Sequence, residues 1–112
     1  MPRDWFLDYF TPPALDAWQR AQTLDVTLQE TAFLESVLLR TQTSARLLDV
    51  PCGDGRHAAQ LAKLGHKVTG IDIAPDNAER AQLRAAETGA AFEFVLGDMR
   101  SLPPSEPYDG AY

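Results

Sequence analysis

The chain holds a single cysteine, Cys52, in 112 residues. One thiol cannot close an internal disulfide, and with no other ligands clustered around it, it does not define a zinc site. A reducing compartment, the cytoplasm, is the expected location. No apolar run approaches the ~20 residues needed to cross a bilayer. The opening residues Met1-Pro2-Arg3-Asp4-Trp5-Phe6 hold no apolar core of the signal-peptide kind. Positive charge is also scarce: 10 Lys and Arg stand against 16 Asp and Glu, a net charge of −6. An acidic chain without a basic cluster repels phosphate backbones and anionic headgroups, so neither nucleic acid nor membrane is an expected partner. Internal repeats and low-complexity tracts are missing as well.

What is present has the make-up of an ordinary globular domain, 45 % apolar and 23 % charged, with length enough for one domain. The first 44 residues read as a helical segment. It opens with the aromatics Trp5, Phe6, Tyr9 and Phe10, followed by Pro12-Pro13, which suit the first turn of a helix. A helix over Ala14–Gln22 places Leu15 and Trp18 on one face, with Trp18 expected in the core. A second helix, Thr27–Arg40, carries Leu28, Thr31, Phe33, Leu34, Val37 and Leu38 as a broad apolar stripe. Thr41-Gln42-Thr43-Ser44 reads as a loop.

At Ala45 the period changes. Ala45–Val50 is a short apolar strand that runs into Pro51-Cys52-Gly53-Asp54-Gly55, and a helix follows over Arg56–Leu64 with Gly65 as its stop. Lys67–Asp72 is a second strand, and Pro75 opens a third helix that ends near Thr88-Gly89. Ala91–Leu96 alternates as a third strand. Tyr108–Tyr112 begins a fourth. Strands alternating with helices imply an α/β fold, a doubly wound parallel sheet with right-handed crossovers. The expected organisation is an N-terminal helical segment, 1–44, and an incomplete cofactor-binding part, 45–112. Because the sequence stops as the fourth strand starts, it reads as a fragment.

Three positions carry the chemistry. Gly53 and Gly55 let the backbone turn tightly at the carboxyl end of the first strand, where doubly wound sheets bind their ligands. Asp72 closes the second strand, near the ~20-residue spacing at which an acidic residue accepts ribose hydroxyls. Asp98, after the third strand, can accept from an exocyclic adenine amine, with the Met99 N–H as a neighbouring donor. Asp49 adds a fourth signal. A carboxylate inside an apolar strand is costly to bury unpaired, so it implies either a cationic ligand or hydrogen bonds from the loop's own N–H groups.

With these residues the chain resembles the class I S-adenosylmethionine-dependent methyltransferases, with a Rossmann-like fold, over 46–112. Their first motif, an acidic residue followed by alternating glycines, appears as Asp49-x-Pro51-x-Gly53-x-Gly55, with proline replacing the first glycine. The resemblance implies S-adenosyl-L-methionine as cofactor. Asp49, Gly53, Asp54 and Gly55 would hold its methionine part, Arg56 its carboxylate, Asp72 the ribose, Ile73 the adenine face, and Asp98 and Met99 the adenine edge. Gly55-Arg56-His57 and Gly97-Asp98-Met99-Arg100 are similar to a branch acting mainly on small molecules, in which an aromatic N-terminal segment can cover the cofactor. Cys52 is expected to be a packing residue and His57 packed or exposed rather than catalytic. The catalytic residues are unknown and no metal is expected. Two other readings stay open. Gly53-Asp54-Gly55-Arg56-His57-Ala58 also fits the G-x-G-x-x-[G/A] fingerprint of an NAD(P)-dependent oxidoreductase, and a non-catalytic cofactor-binding subunit would show the same residues.

Overall fold

A computed structural model describes residue 7 and residues 9–38, 44–89 and 92–112. The aromatic pair Trp5-Phe6, the expected helix end at Arg40, the loop 41–43 and Ala91 at the expected start of the third strand lie outside the described residues. Two helices, α1 (Pro12–Ala21) and α2 (Leu24–Leu38), precede β1 (Arg46–Asp49), α3 (Arg56–Lys63), β2 (Lys67–Asp72), α4 (Pro75–Thr88), β3 (Glu93–Leu96) and β4 (Gly110–Ala111).

The four strands are parallel in the order β3-β2-β1-β4. The chain starts near the middle, moves outward to β3, then crosses back to pair Leu48 with Ala111. That reversal is the topological switch point of a doubly wound, Rossmann-like sheet, and a crevice forms outside the carboxyl ends of its strands. The core lies where β1 and β2 meet α3: Ala45, Leu47, Ala58, Leu61 and Val68 are buried, with Phe92 and Tyr112 packed against them. Leu47 and Leu48 are both buried although they point to opposite faces, as a strand covered on both sides requires.

Buried His66 joins the two layers. Its Nδ1 accepts the Ala45 N–H at 3.1 Å, which leaves Nε2 as the protonated nitrogen that donates to Glu35 of α2 at 3.2 Å.

Two expectations about the helices are corrected. Trp18 is 52 % exposed rather than in the core, and Leu15 is the buried residue of α1. In α2, Thr27 and Thr31 are buried whereas Leu28, Phe33 and Val37 are exposed. For Thr27 the reason is electrostatic. The face of α2 turned to the body meets the first turn of α3, where Arg56 needs oxygen partners, and Thr27 and Glu30 supply them. A hydrophobic stripe facing the same place would have stranded the guanidinium.

Candidate functional site

The loop after β1 is built on two left-handed backbone positions, Gly53 (φ 59°) and Gly55 (φ 79°), and a cis Val50–Pro51 peptide. Its path is pinned to the sheet. The Cys52 N–H donates to the Ile71 carbonyl at 2.9 Å, and the Gly55 N–H donates to the Cys52 carbonyl at 3.1 Å. Cys52 is buried, and burial pushes its thiol above the usual range, so it is a packing group rather than a nucleophile. It nests against Gly70, where a Cβ would lie 2.8 Å from Sγ.

A cavity of about 600 Å³ opens at this loop, within the size range of small-ligand sites. It brings together Asp49, Gly53, Asp54 and Arg56 from the first strand, loop and helix. Asp72 and Ile73 follow from the second strand end, and Asp98 and Met99 from the third. Gly55 alone of the nine expected binding residues is not in the lining. It packs inward, and a Cβ there would meet Phe92 Cζ at 2.6 Å and Ala81 Cβ at 3.3 Å. Its glycine is required by packing. Gly53, by contrast, has open space where its Cβ would be.

The four carboxylates have different surroundings. Asp49 is 4 % exposed, and its Oδ2 has no hydrogen-bond partner. Burial raises its pKa to about 7, offset in part by the facing Tyr112 hydroxyl and raised further by Asp72. The Tyr112 oxygen is itself buried without a closed hydrogen bond. The loop N–H groups do not serve Asp49; that role falls to Asp72. Its Oδ2 accepts the Gly53 N–H at 2.8 Å. Its Oδ1 accepts the Ala74 N–H at 3.0 Å and Asn77 Nδ2 at 3.1 Å. A carboxylate has about four acceptor sites, so Asp72 has room for one further donor rather than for two ribose hydroxyls. Replacing Asp72 by alanine strands three donors, and the melting temperature is expected to fall by the equivalent of about 1–3 kcal/mol. An unchanged melting temperature would mean that those donors find other partners.

Asp54 is held by Arg84, whose Nη2 reaches its Oδ2 at 2.8 Å and whose Nε reaches its carbonyl at 3.3 Å. Asp98 is paired with Arg100 at 2.6 Å, which lowers its pKa. Arg56 Nη1 donates to Glu30 at 2.9 Å and to Thr27 Oγ1 at 3.2 Å. His57 is half-buried in the cavity wall, edge-on to Tyr112 at 6.4 Å, and burial lowers its pKa, so the imidazole is neutral at pH 7. No group of three or more His, Cys, Asp or Glu able to hold a metal occurs among the described residues.

Sequence reasoning missed the contribution of α1 and α4. Trp18 and Gln19 of α1 and Asn77 and Arg80 of α4 line the cavity, together with Phe10 from the aromatic segment ahead of α1. Arg80 ties the two helices, donating to Asp16 at 2.7 Å and to Gln19 at 2.6 Å. Only Asn77 carried a local signal, as an amide in the first turn after Asp72.

The sequence pattern of a family described as "Methyltransferase domain" matches residues 47–112, more than half the chain. The ubiquinone biosynthesis O-methyltransferase of Xanthomonas euvesicatoria is 36 % identical over 75 residues, covering 66 % of this chain and 31 % of that protein. The protein-L-isoaspartate O-methyltransferase of Methanoculleus marisnigri is 38 % identical over 73 residues, covering 63 % of this chain and 33 % of that protein. The chain thus spans about a third of the length of these curated relatives. Among solved structures, a SAM-dependent methyltransferase from Thiobacillus denitrificans in complex with S-adenosyl-L-homocysteine superposes with a TM-score of 0.63 at 32 % identity. The match covers 74 % of this chain and 34 % of that one.

Proposed function

This chain belongs to the methyltransferase domain family, and from that premise we propose that it forms the cofactor-binding part of an enzyme that transfers a methyl group from S-adenosyl-L-methionine to a small-molecule acceptor. The observation that carries the reading is the orphaned Asp49 Oδ2 in the wall of a cavity at the carboxyl ends of β1, β2 and β3. A buried carboxylate faced only by the Tyr112 hydroxyl is expensive, and a cationic ligand lowers that cost. The cofactor bears a sulfonium and an ammonium, so the donor set fits it. Gly53 leaves open the space a side chain would fill, which suits close approach of a ligand to the backbone.

When bound, the cofactor supplies a methyl group on sulfur with a neutral thioether as leaving group. The protein's share is binding, orientation and exclusion of water. Asp49 holds positive charge. Asp72 keeps the glycine loop in shape through Gly53 and offers its one remaining acceptor site to a ribose hydroxyl. Ile73 and Met99 provide apolar surface for a flat ring, beside Asp98 and its edge. Arg56 offers donors to a carboxylate. Gly55 supports the loop from behind.

Several features support a small acceptor. Residues of α1 line part of the cavity, and a curated relative acts in ubiquinone biosynthesis by name. The net charge of −6 argues against nucleic acid as partner. No helix among the described residues is long and apolar enough to cross a membrane. We place the protein in the cytoplasm, with 1–44 as the N-terminal segment that contributes α1 and α2 and 45–112 as the cofactor-binding part.

Calorimetry of the full-length protein tests the cofactor. Saturable binding of S-adenosylhomocysteine with none of NAD is the expected result. Binding of NAD alone would return the oxidoreductase reading.

A further inference from the structure

Helix α2 lies ahead of the segment that matches the family, yet it reaches the cavity wall through two side chains, Glu30 and Thr27. Glu30 Oε1 accepts Arg56 Nη1 at 2.9 Å and lies 3.7 Å from His57 Nε2. Arg56 and His57 are both in the cavity lining, whereas Glu30 is not. The Arg56 side chain is 14 % exposed against 46 % for Glu30. Arg56 pulls the Glu30 carboxyl below its ordinary range, so the contact is an ion pair at neutral pH. A half-exposed pair of this kind contributes little to stability; its effect is to fix direction. Thr27 Oγ1 takes the same Nη1 at 3.2 Å. Two oxygens on one face of α2 therefore hold a single nitrogen of a guanidinium that has five N–H donors in a rigid fork. The remaining donors are thereby pointed in one direction.

We propose that Glu30 is a positioning residue for the cofactor, holding Arg56 in the cavity wall so that its other N–H groups are presented to the cofactor's carboxylate. The proposal rests on the methyltransferase reading and extends it: the N-terminal helical layer becomes part of the binding site.

The test uses two ligands that share adenosine and a thioether. S-adenosylhomocysteine carries the amino-acid carboxylate and 5′-methylthioadenosine does not. Both are titrated into the full-length protein and into Glu30→Ala and Glu30→Gln. Loss of preorganisation of one side chain is expected to weaken S-adenosylhomocysteine about threefold to tenfold in Glu30→Ala, with methylthioadenosine unchanged. Glu30→Gln, which keeps an acceptor oxygen, recovers most of the loss. Equal weakening of both ligands would reduce Glu30 to a structural role and leave the cofactor reading intact. Tighter binding of S-adenosylhomocysteine would make Glu30 a competitor for Arg56, which also overturns the proposal. An unsubstituted protein that binds neither ligand removes both readings together.

Discussion

Asp49→Asn is expected to make the ligand-free protein more stable and the ligand-bound protein harder to form. In the folded chain burial raises the Asp49 pKa from 3.8 to about 7. Folding therefore favours the protonated acid. The stabilisation is complete below about pH 4, is lost progressively as pH rises through about 7, and does not return above it. Three units correspond to a cost of about 4 kcal/mol at alkaline pH. Asparagine keeps the shape and never ionises. The melting temperature of the variant is expected to exceed that of the parent at pH 8 and to converge with it at pH 4. Ligand binding moves the other way. A cationic ligand binds the ionised form, so affinity for S-adenosylmethionine should rise from pH 5.5 to about 7 with release of a proton, then level off. The variant should lose that dependence and bind about tenfold to a hundredfold more weakly, the range for a hydrogen bond to a charged group. Calorimetry in two buffers of different ionisation enthalpy counts the proton. Equal affinities and parallel melting curves for parent and variant would remove Asp49 from the cation site.

The two loop glycines should separate stability from binding. Gly55→Ala places a Cβ 2.6 Å from Phe92 Cζ at a φ of 79°. The left-handed backbone costs about 1–2 kcal/mol for a residue with a Cβ, and overpacking adds about 1–3 kcal/mol. A loss of about 2–4 kcal/mol in unfolding free energy is expected because Phe92 can yield by turning its ring, but Ala81 Cβ at 3.3 Å limits the room. Gly53→Ala meets no atom within 4 Å at a φ of 59°, so only the backbone cost of about 1–2 kcal/mol applies. Its Cβ occupies space next to the bound ligand instead. Denaturant unfolding and S-adenosylhomocysteine titration, run on both variants, should rank them oppositely: Gly55→Ala worse in stability, Gly53→Ala worse in affinity relative to its stability. The same ranking in both assays would show that the glycines act as one unit.

The elements of the α/β part were legible because each is written locally. Lys67–Asp72 is the same segment as strand and as sequence pattern, and Pro75 and Gly89 bracket α4. The order of those elements was enough to imply a parallel sheet with a ligand site at one end, since right-handed crossovers leave few alternatives. Eight of the nine expected binding residues do meet at one cavity. The N-terminal layer was less legible. Periodicity finds an apolar stripe on α2 but cannot know that the surface beneath it presents Arg56. The helix turns Thr27 inward to meet it, whereas Thr31 is buried with no hydrogen-bond partner for its Oγ1. The i, i+3 spacing with Leu15 directs Trp18 to the core, although an aromatic side chain lining a cavity has the same local pattern as one filling a core.

From the order of residues alone came the parallel α/β architecture, the tight turn at Gly53 and Gly55, and the set of acidic residues at successive strand ends. These depend on backbone sterics and on side-chain period, which act over a few neighbours. Which carboxylate is free and which is engaged was decided only by the folded chain. Asp72 is nearly saturated by Gly53, Ala74 and Asn77, and Asp49 is left with a bare oxygen. Desolvation and hydrogen-bond satisfaction depend on distances between segments remote in sequence, and those exist only once β1, β2 and the helices around them have packed.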